Sequence, residues 1–367
     1  MKTGTITFHA PNNNGSFLQA YALQQILVKE LGVDNEIIDF RSVKQTNQYK
    51  TFRPVQCKND LLKNLASLPH YRKLNIRYAR FEEMRNRYLM KTECIVSEED
   101  ALKQASKYDV LIAGSDQIWN TGAPDFSPAY FLPNVDKRKI AYAVSCGSVA
   151  GSAGLKEYEG AISAFEGISV REEAVKKQLQ SIYSDEIGVV LDPTLLLNEA
   201  DYQSLYQKAP LVEGDYIFYY SITYSKDSLK AVQKLSEKTG LPVYTVFTSF
   251  HTSLSERYGV KVLYDGGPSE FLNLLAHAKI VATNSFHGTA FSLIFHKNFY
   301  HLCDMEGEKM KKDDRIDGIL EQLGLASRNY CYQQEQLLPD LTYEKADIQM
   351  QQLRKESLEW LKSTLGC

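Results

Sequence analysis

A histidine one residue inside a helix start can exchange a proton with a bound anion, and Thr283-Asn284-Ser285-Phe286-His287-Gly288-Thr289 has that form. The largely apolar run Lys279–Thr283 before it reads as a strand. Asn284 and Ser285 are capping residue types, and Ala290, Phe291, Leu293 and Ile294 supply a buried helical face. First-turn N–H groups and the helix dipole favour an anion at such a place. The dipole disfavours an imidazolium and a bound polyanion favours it. Protonation of His287 would therefore be coupled to substrate, as a general acid requires. The plainer alternative is a His that bonds its own cap.

Four further clusters fall where strands give way to helices. Asn12–Ser16, with Asn13, Asn14 and Gly15, offers a turn whose N–H groups suit an anion or sugar hydroxyls, or is an ordinary βα turn. Gly114-Ser115-Asp116-Gln117-Ile118-Trp119-Asn120 mixes hydrogen-bonding groups with one aromatic ring. That suits a carbohydrate, with Trp119 on a sugar face and Ser115, Asp116 and Gln117 on its hydroxyls; the alternative is a capping loop around a buried Trp. Arg171, in Ser169-Val170-Arg171-Glu172, could clamp a carboxylate or phosphate, or pair at the surface with Glu172 or Glu173. Lys311-Lys312-Asp313-Asp314-Arg315 reads first as a solvated charge run.

Other features exclude more than they suggest. Cys146, in Ser145-Cys146-Gly147-Ser148, invites a Cys–His hydrolase pairing with His287, but a small buried Cys at a strand end is commoner. The six cysteines show no C-x-x-C spacing. His9, His70, His251, His277, His296 and His301 form no pair at helical ligand spacing, so no metal is expected. The net charge of −3 over 367 residues lacks the basic footprint of a nucleic-acid binder. Neither a signal peptide nor a transmembrane run is expected, and the scattered thiols fit the cytoplasm. A basic stripe, Arg72, Lys73, Arg77, Arg80, Arg85, Arg87 and Lys91, reads as a solvated helix face or as a peripheral contact with anionic lipid.

The elements that must position these residues repeat one theme: short β-rich run, turn, amphipathic helix. Strands are expected at Thr3–Phe8, Asn35–Asp39, Asp109–Ala113, Ile140–Ser145, Gly167–Val170 and Gly188–Leu191. After Asp192-Pro193-Thr194 the theme restarts, with strands at Tyr216–Ser221, Pro242–Phe247, Val260–Tyr264, Lys279–Thr283 and Phe299–Leu302. The alternation predicts an α/β fold of two Rossmann-like domains, 1–193 and 194–340, facing a central cleft. A solitary helix within 341–367, with no sheet of its own to cover, is expected across the seam between them.

Taken in order, these segments resemble the polysaccharide pyruvyl transferase family. The matching pieces are Asn14-Gly15 with Leu18–Gln24, Gly114–Asn120, Ala141–Ser145, Ser169–Glu172, Leu191–Thr194, Glu270–Leu272, Thr283–Ala290 and Arg315. The resemblance implies a glycosyltransferase-B-like fold, with phosphoenolpyruvate as donor and a lipid- or nucleotide-linked sugar diol as acceptor. The product would be a pyruvate ketal for surface polysaccharide, made without a further cofactor. It implies His287 as general acid, with Asp116 as the carboxylate closest to the hydroxyls by sequence. Arg171, Asn284, Ser285, Gly288, Thr289 and Arg315 would serve the donor. Asn13, Asn14, Gly15, Ser115, Gln117, Trp119 and Ser145 would serve the acceptor. One departure stands out: many members carry Arg two positions before this His, where this chain has Ser285. A nucleotide-sugar glycosyltransferase and a non-catalytic glycan-binding relative are the alternatives.

Overall fold

The structure is a computed structural model and describes every residue except 56, 149 and 367, so Cys367 lies outside the described residues. The chain forms two compact units. One comprises 1–50, 85–197 and 351–367, and the other 51–84 and 198–350.

The first unit carries a six-stranded sheet of β1 (Lys2–Ile6), β2 (Asp34–Ile37), β3 (Val110–Ala113), β4 (Arg138–Val144), β5 (Gly167–Val170) and β6 (Gly188–Val189). Its order is β2-β1-β3-β4-β5-β6, with every pairing parallel. The second unit carries β7 (Ile217–Tyr220), β8 (Val243–Val246), β9 (Val260–Leu263), β10 (Ile280–Thr283), β11 (Asn298–Leu302), a short hairpin of β12 (Met305–Glu306) and β13 (Lys309–Met310), and β14 (Asn329–Tyr330). Its six-stranded sheet runs β14-β11-β10-β7-β8-β9, again parallel. The two Rossmann-like domains read from the sequence are present. The hairpin and β14, two residues each, are too short to leave a periodic signal.

Parallel strands covered on both faces read as continuous apolar runs. Val-Leu-Ile-Ala in β3 and Ile-Val-Ala-Thr in β10 are buried at every position. The helices that cover them follow the same economy. In Lys226–Thr239, Leu229, Val232 and Leu235 face the sheet, Ser225 caps the start, and Gly240 ends the helix at a φ of 71°.

Four helices matter below: α1 (Asn14–Gln25), α2 (Tyr71–Tyr88), α3 (Phe286–Ile294) and α4 (Asp314–Gln322). A fifth, α5 (Glu344–Leu365), passes from the second unit into the first at Met350–Gln351. Contrary to the sequence reading, it does have a sheet to cover. Trp360 lies against Gly167 and Gly188, and a Cβ on Gly188 would come 2.5 Å from its Nε1. Ser357 accepts from the Leu191 N–H at 2.9 Å, and Arg354 donates to the carbonyls of Leu195 and Leu197.

The basic stripe of α2 is not a free face. Arg85 is wholly buried and donates to Asn12 Oδ1 at 2.9 Å. Arg77 is buried over Phe81, Arg80 pairs with Asp265 and Glu270, and Lys91 pairs with Asp39. Long basic side chains bury their stems wherever an acceptor can be reached. The run Arg72–Lys91 therefore does not offer a continuous lipid-binding stripe.

A buried cluster that the sequence reading missed holds the ends of β1 and β2. Asp39, fully buried, accepts from His9 Nε2 at 2.9 Å, Arg41 Nε at 2.5 Å and Lys91 Nζ at 2.9 Å. Burial opposes its charge, but His9 and Arg41 outweigh it and hold the carboxyl well below its ordinary 3.8. A depressed carboxylate stabilises the fold above its unfolded value, and that stabilisation is lost as pH falls toward the folded value. Asp39→Asn is expected to cost about 3 kcal/mol at neutral pH. The gap to the parent, read from urea midpoints, should hold above about pH 5 and narrow below about pH 4.

Candidate functional site

In open parallel sheets, ligands sit at the carboxyl ends of strands where the strand order reverses. In the second sheet that point lies between β7 and β10. Thr283 ties the two strand ends together. Its hydroxyl donates to the Tyr220 carbonyl at 2.6 Å and accepts from the Ser285 N–H at 3.0 Å. Gly288 then lets the first turn of α3 press on the strand end, because a Cβ there would lie 2.1 Å from Thr283 Oγ1. Ser285 is the N-cap.

Beside this turn is a cavity of about 250 Å³. Its lining includes Ile222 and Thr223 after β7, Asn284, Ser285 and Phe286 at the start of α3, His301 on β11, and Lys311, Lys312, Asp313 and Arg315 before and within α4. Asn284 donates through Nδ2 to Ser228 at 3.2 Å, while its Oδ1 is buried with no hydrogen-bond partner among the described residues. A buried acceptor of that kind is open to a donor from a ligand or an ordered water.

His301 is 3% exposed, and its Nδ1 lies 3.3 Å from the Thr283 carbonyl. A carbonyl only accepts, so Nδ1 carries the proton and Nε2 is left bare. Burial pushes the imidazole pKa below its ordinary 6.5, against the pull of Asp317 and Asp313. His301 is therefore a neutral group suited to accept a proton. Sequence spacing gives His301 no metal-ligand partner and no other role; the signal for it is its place at a strand end beside a switch point.

Arg315 lines the cavity as expected, but Nε and Nη2 reach Asp313 at 3.0 and 2.7 Å, and this pair offsets its charge. Burial opposes ionisation of Asp313, but Arg315 holds its carboxyl below the ordinary range. The exposed Lys311 and Lys312 line the cavity rim, Lys312 pairing with the exposed Glu321 at 3.5 Å, so Lys311, Lys312, Asp313 and Arg315 of the run first read as solvated are part of the lining. His287 sits one residue beyond the lining Phe286, edge-to-face with it at 5.2 Å, and is 9% exposed. Thr289 is buried in the same turn.

In the first sheet the order reverses between β1 and β3. After β1, Asn13 caps α1, its side chain accepting from Gly15 N–H at 2.9 Å, and Asn14 Oδ1 is buried without a hydrogen-bond partner among the described residues. The loop after β3 begins at Gly114, φ 128°, where a Cβ would meet the Tyr142 carbonyl at 2.1 Å. Asp116 follows, accepting from Ser16 at 2.8 Å and from its neighbour Gln117 N–H at 2.9 Å. Arg171 reaches Asp192 at 2.5 Å and Asp116 at 3.9 Å, and also donates to Ser115. One guanidinium thus joins the segments after β3, β5 and β6. Glu172 accepts from Ser145 at 2.5 Å.

Three acceptor-side expectations need correction. Trp119 is fully buried among Phe131 and Phe165, so its ring cannot stack on a sugar. Ser115 and Ser145 are fully buried, and their hydroxyls serve the chain's own acceptors. Asn13, Asn14, Gly15, Gln117 and Asp116 remain at the carboxyl edge. Cys146 is also buried, and burial pushes its thiol well above the usual range, which does not suit a nucleophile.

Comparison with known proteins fits this fold. The chain matches no curated protein. Its fold is shared with a Listeria monocytogenes protein assigned as a UDP-N-acetylglucosamine 2-epimerase, at 9% identity, covering 98% of this chain and 90% of that one, with a TM-score of 0.51. It is shared equally with S. aureus MnaA in a co-structure with UDP, at 10% identity, coverage of 98% and 91%, and a TM-score of 0.51. Both are two-domain enzymes of the glycosyltransferase-B type, and at this identity they speak for the fold alone. The polysaccharide pyruvyl transferase family model matches residues 13–302, a span that holds Asp116, Arg171, Asn284, His287 and His301 and ends before Lys311, Lys312 and Arg315, and the chain belongs to that family.

Proposed function

We propose that the protein transfers the pyruvyl group of phosphoenolpyruvate to a sugar diol, forming a cyclic ketal and releasing phosphate. The observation that carries this reading is the cavity at the second switch point. It combines a helix start, a pair of lysines, an unsatisfied amide oxygen and a neutral imidazole, the set a small polyanion with a reacting hydroxyl beside it would need. Lys311 and Lys312 would supply the positive charge that Ser285 does not.

The chemistry balances without an oxidant or reductant. Protonation of the donor's methylene carbon makes an oxocarbenium-like centre at C2. One sugar hydroxyl adds there and gives up its proton. Phosphate leaves, and the second hydroxyl closes the ketal with loss of a second proton. His287 is the proposed acid and His301 a proposed base for a hydroxyl. Arg171, bound to Asp192, would hold the first sheet's strand-end loops in place, and Asp116 with Asn13 and Asn14 would meet the acceptor. Phosphoenolpyruvate supply would place the reaction in the cytoplasm.

The direct test is phosphate release from phosphoenolpyruvate with a nucleotide- or lipid-linked hexose. His287→Ala should lower kcat by about 100-fold or more; full turnover in that variant would remove the acid assignment. Binding of nucleotide sugars but not of phosphoenolpyruvate, seen by thermal shift, would favour a glycosyltransferase instead. The lysine role predicts that Lys311→Ala with Lys312→Ala raises KM for the donor about tenfold or more with a smaller change in kcat. If His301 is the base, the acid limb of kcat/KM should lie below the ordinary histidine value of 6.5, because its lowered pKa keeps the ring neutral to lower pH. His301→Asn should remove that limb.

A further inference from the structure

The segment 51–78 carries an apolar surface that the proposed chemistry does not use. Leu61, Leu62, Leu65 and Leu68, on the helix Lys58–Ser67 and the turn after it, are exposed by 49, 60, 52 and 55%. Leu61, Leu65 and Leu68 are spaced i, i+4, i+7, which sets them along one helical face. Val55 before the helix and Ile76 after it are exposed by 57 and 46%. Phe52 and Tyr71, both exposed, stack at 5.1 Å and join the two ends of the segment. Isolated surface leucines are ordinary, but four within two helical turns mark a contact surface.

Charge identifies the partner. Residues 51–80 contain seven Lys and Arg, of which Arg77 is buried and Arg80 is paired, and one acidic residue, Asp60, in a chain whose net charge is −3. Lys58, Arg72 and Lys73 are exposed, and no ion pair among the described residues engages them or Lys63. A second copy of this chain would set the same positive surface against itself, which is repulsive. An acidic soluble partner would answer the cations but has no particular need of a leucine face. An anionic bilayer answers both, with headgroups for the cations and the acyl boundary for the leucines.

We propose that the face formed by Leu61, Leu62, Leu65 and Leu68, flanked by Lys58, Lys63, Arg72 and Lys73, docks the protein peripherally on an anionic lipid surface. Among the described residues no helix is long and apolar enough to cross a membrane, so the contact would be interfacial and reversible. It keeps only Arg72 and Lys73 from the basic stripe of α2.

The test is cosedimentation of the full chain with phosphatidylcholine vesicles, with and without phosphatidylglycerol. Binding is expected with the anionic vesicles only, and it should weaken as salt is raised. Leu62→Ser with Leu65→Ser should reduce it about tenfold or more. Lys58→Gln with Lys73→Gln should reduce it about fivefold per charge removed. All four side chains are at the surface, so circular dichroism and melting should match the parent. Failure to bind anionic vesicles, equal binding to neutral ones, or unchanged binding by the leucine variant would overturn the proposal. So would self-association that the leucine variant abolishes in the absence of vesicle binding, since the face would then belong to a second copy.

Discussion

Short strands buried on both faces admit few polar side chains along their length, and those, such as Ser169 in β5, only with hydrogen-bond partners. Groups that cannot be desolvated without a partner are therefore pushed to the strand ends. β3 and β10 show the constraint directly, being buried at every position. Reversal of strand order then leaves a gap at one place in each sheet, after β1 and β3 in one and after β7 and β10 in the other. What gathers in those gaps is the polar chemistry of the protein.

The two gaps are filled differently. In the first unit the charges satisfy one another. Arg171 lies between Asp192 and Asp116, and Asp39 is surrounded by His9, Arg41 and Lys91. A buried ion pair adds little net stability, but removing one partner is costly, so such pairs hold loops in a single arrangement. In the second unit the gap stays open as a cavity, with lysines at its rim and an amide oxygen and a neutral imidazole in its wall. The first arrangement builds a scaffold, and the second leaves capacity for a ligand.

The departure at Ser285 fits this division. A serine cap closes the helix start without adding charge, and the positive groups near it come from the run before α4. Arg315, the residue expected to compensate, is held by Asp313. That leaves Lys311, and Lys312 with its exposed partner Glu321, which no argument from local spacing would have chosen over an arginine.

Local pattern was enough to make most of the fold legible. Apolar runs broken by polar turns located eleven of the twelve sheet strands, because burial on both faces is written into consecutive residues. The missed strand, β14, has two residues and no pattern to read. Capping chemistry likewise marked the start of α3, since Ser285 acts on a backbone only three residues away. Tertiary structure decided what long-range contact decides. Trp119 faces the core, Arg85 and Arg77 are buried rather than solvated, residues 51–84 join the second unit, and α5 finds a sheet to cover. It also placed His301 beside Thr283, and Lys311 and Ser285 on one cavity. Sequence alone determined which residues could do chemistry, because residue type and local spacing set that. Which of them keep a free group for a ligand depends on partners dozens of residues away, and only the folded chain brings those partners into reach.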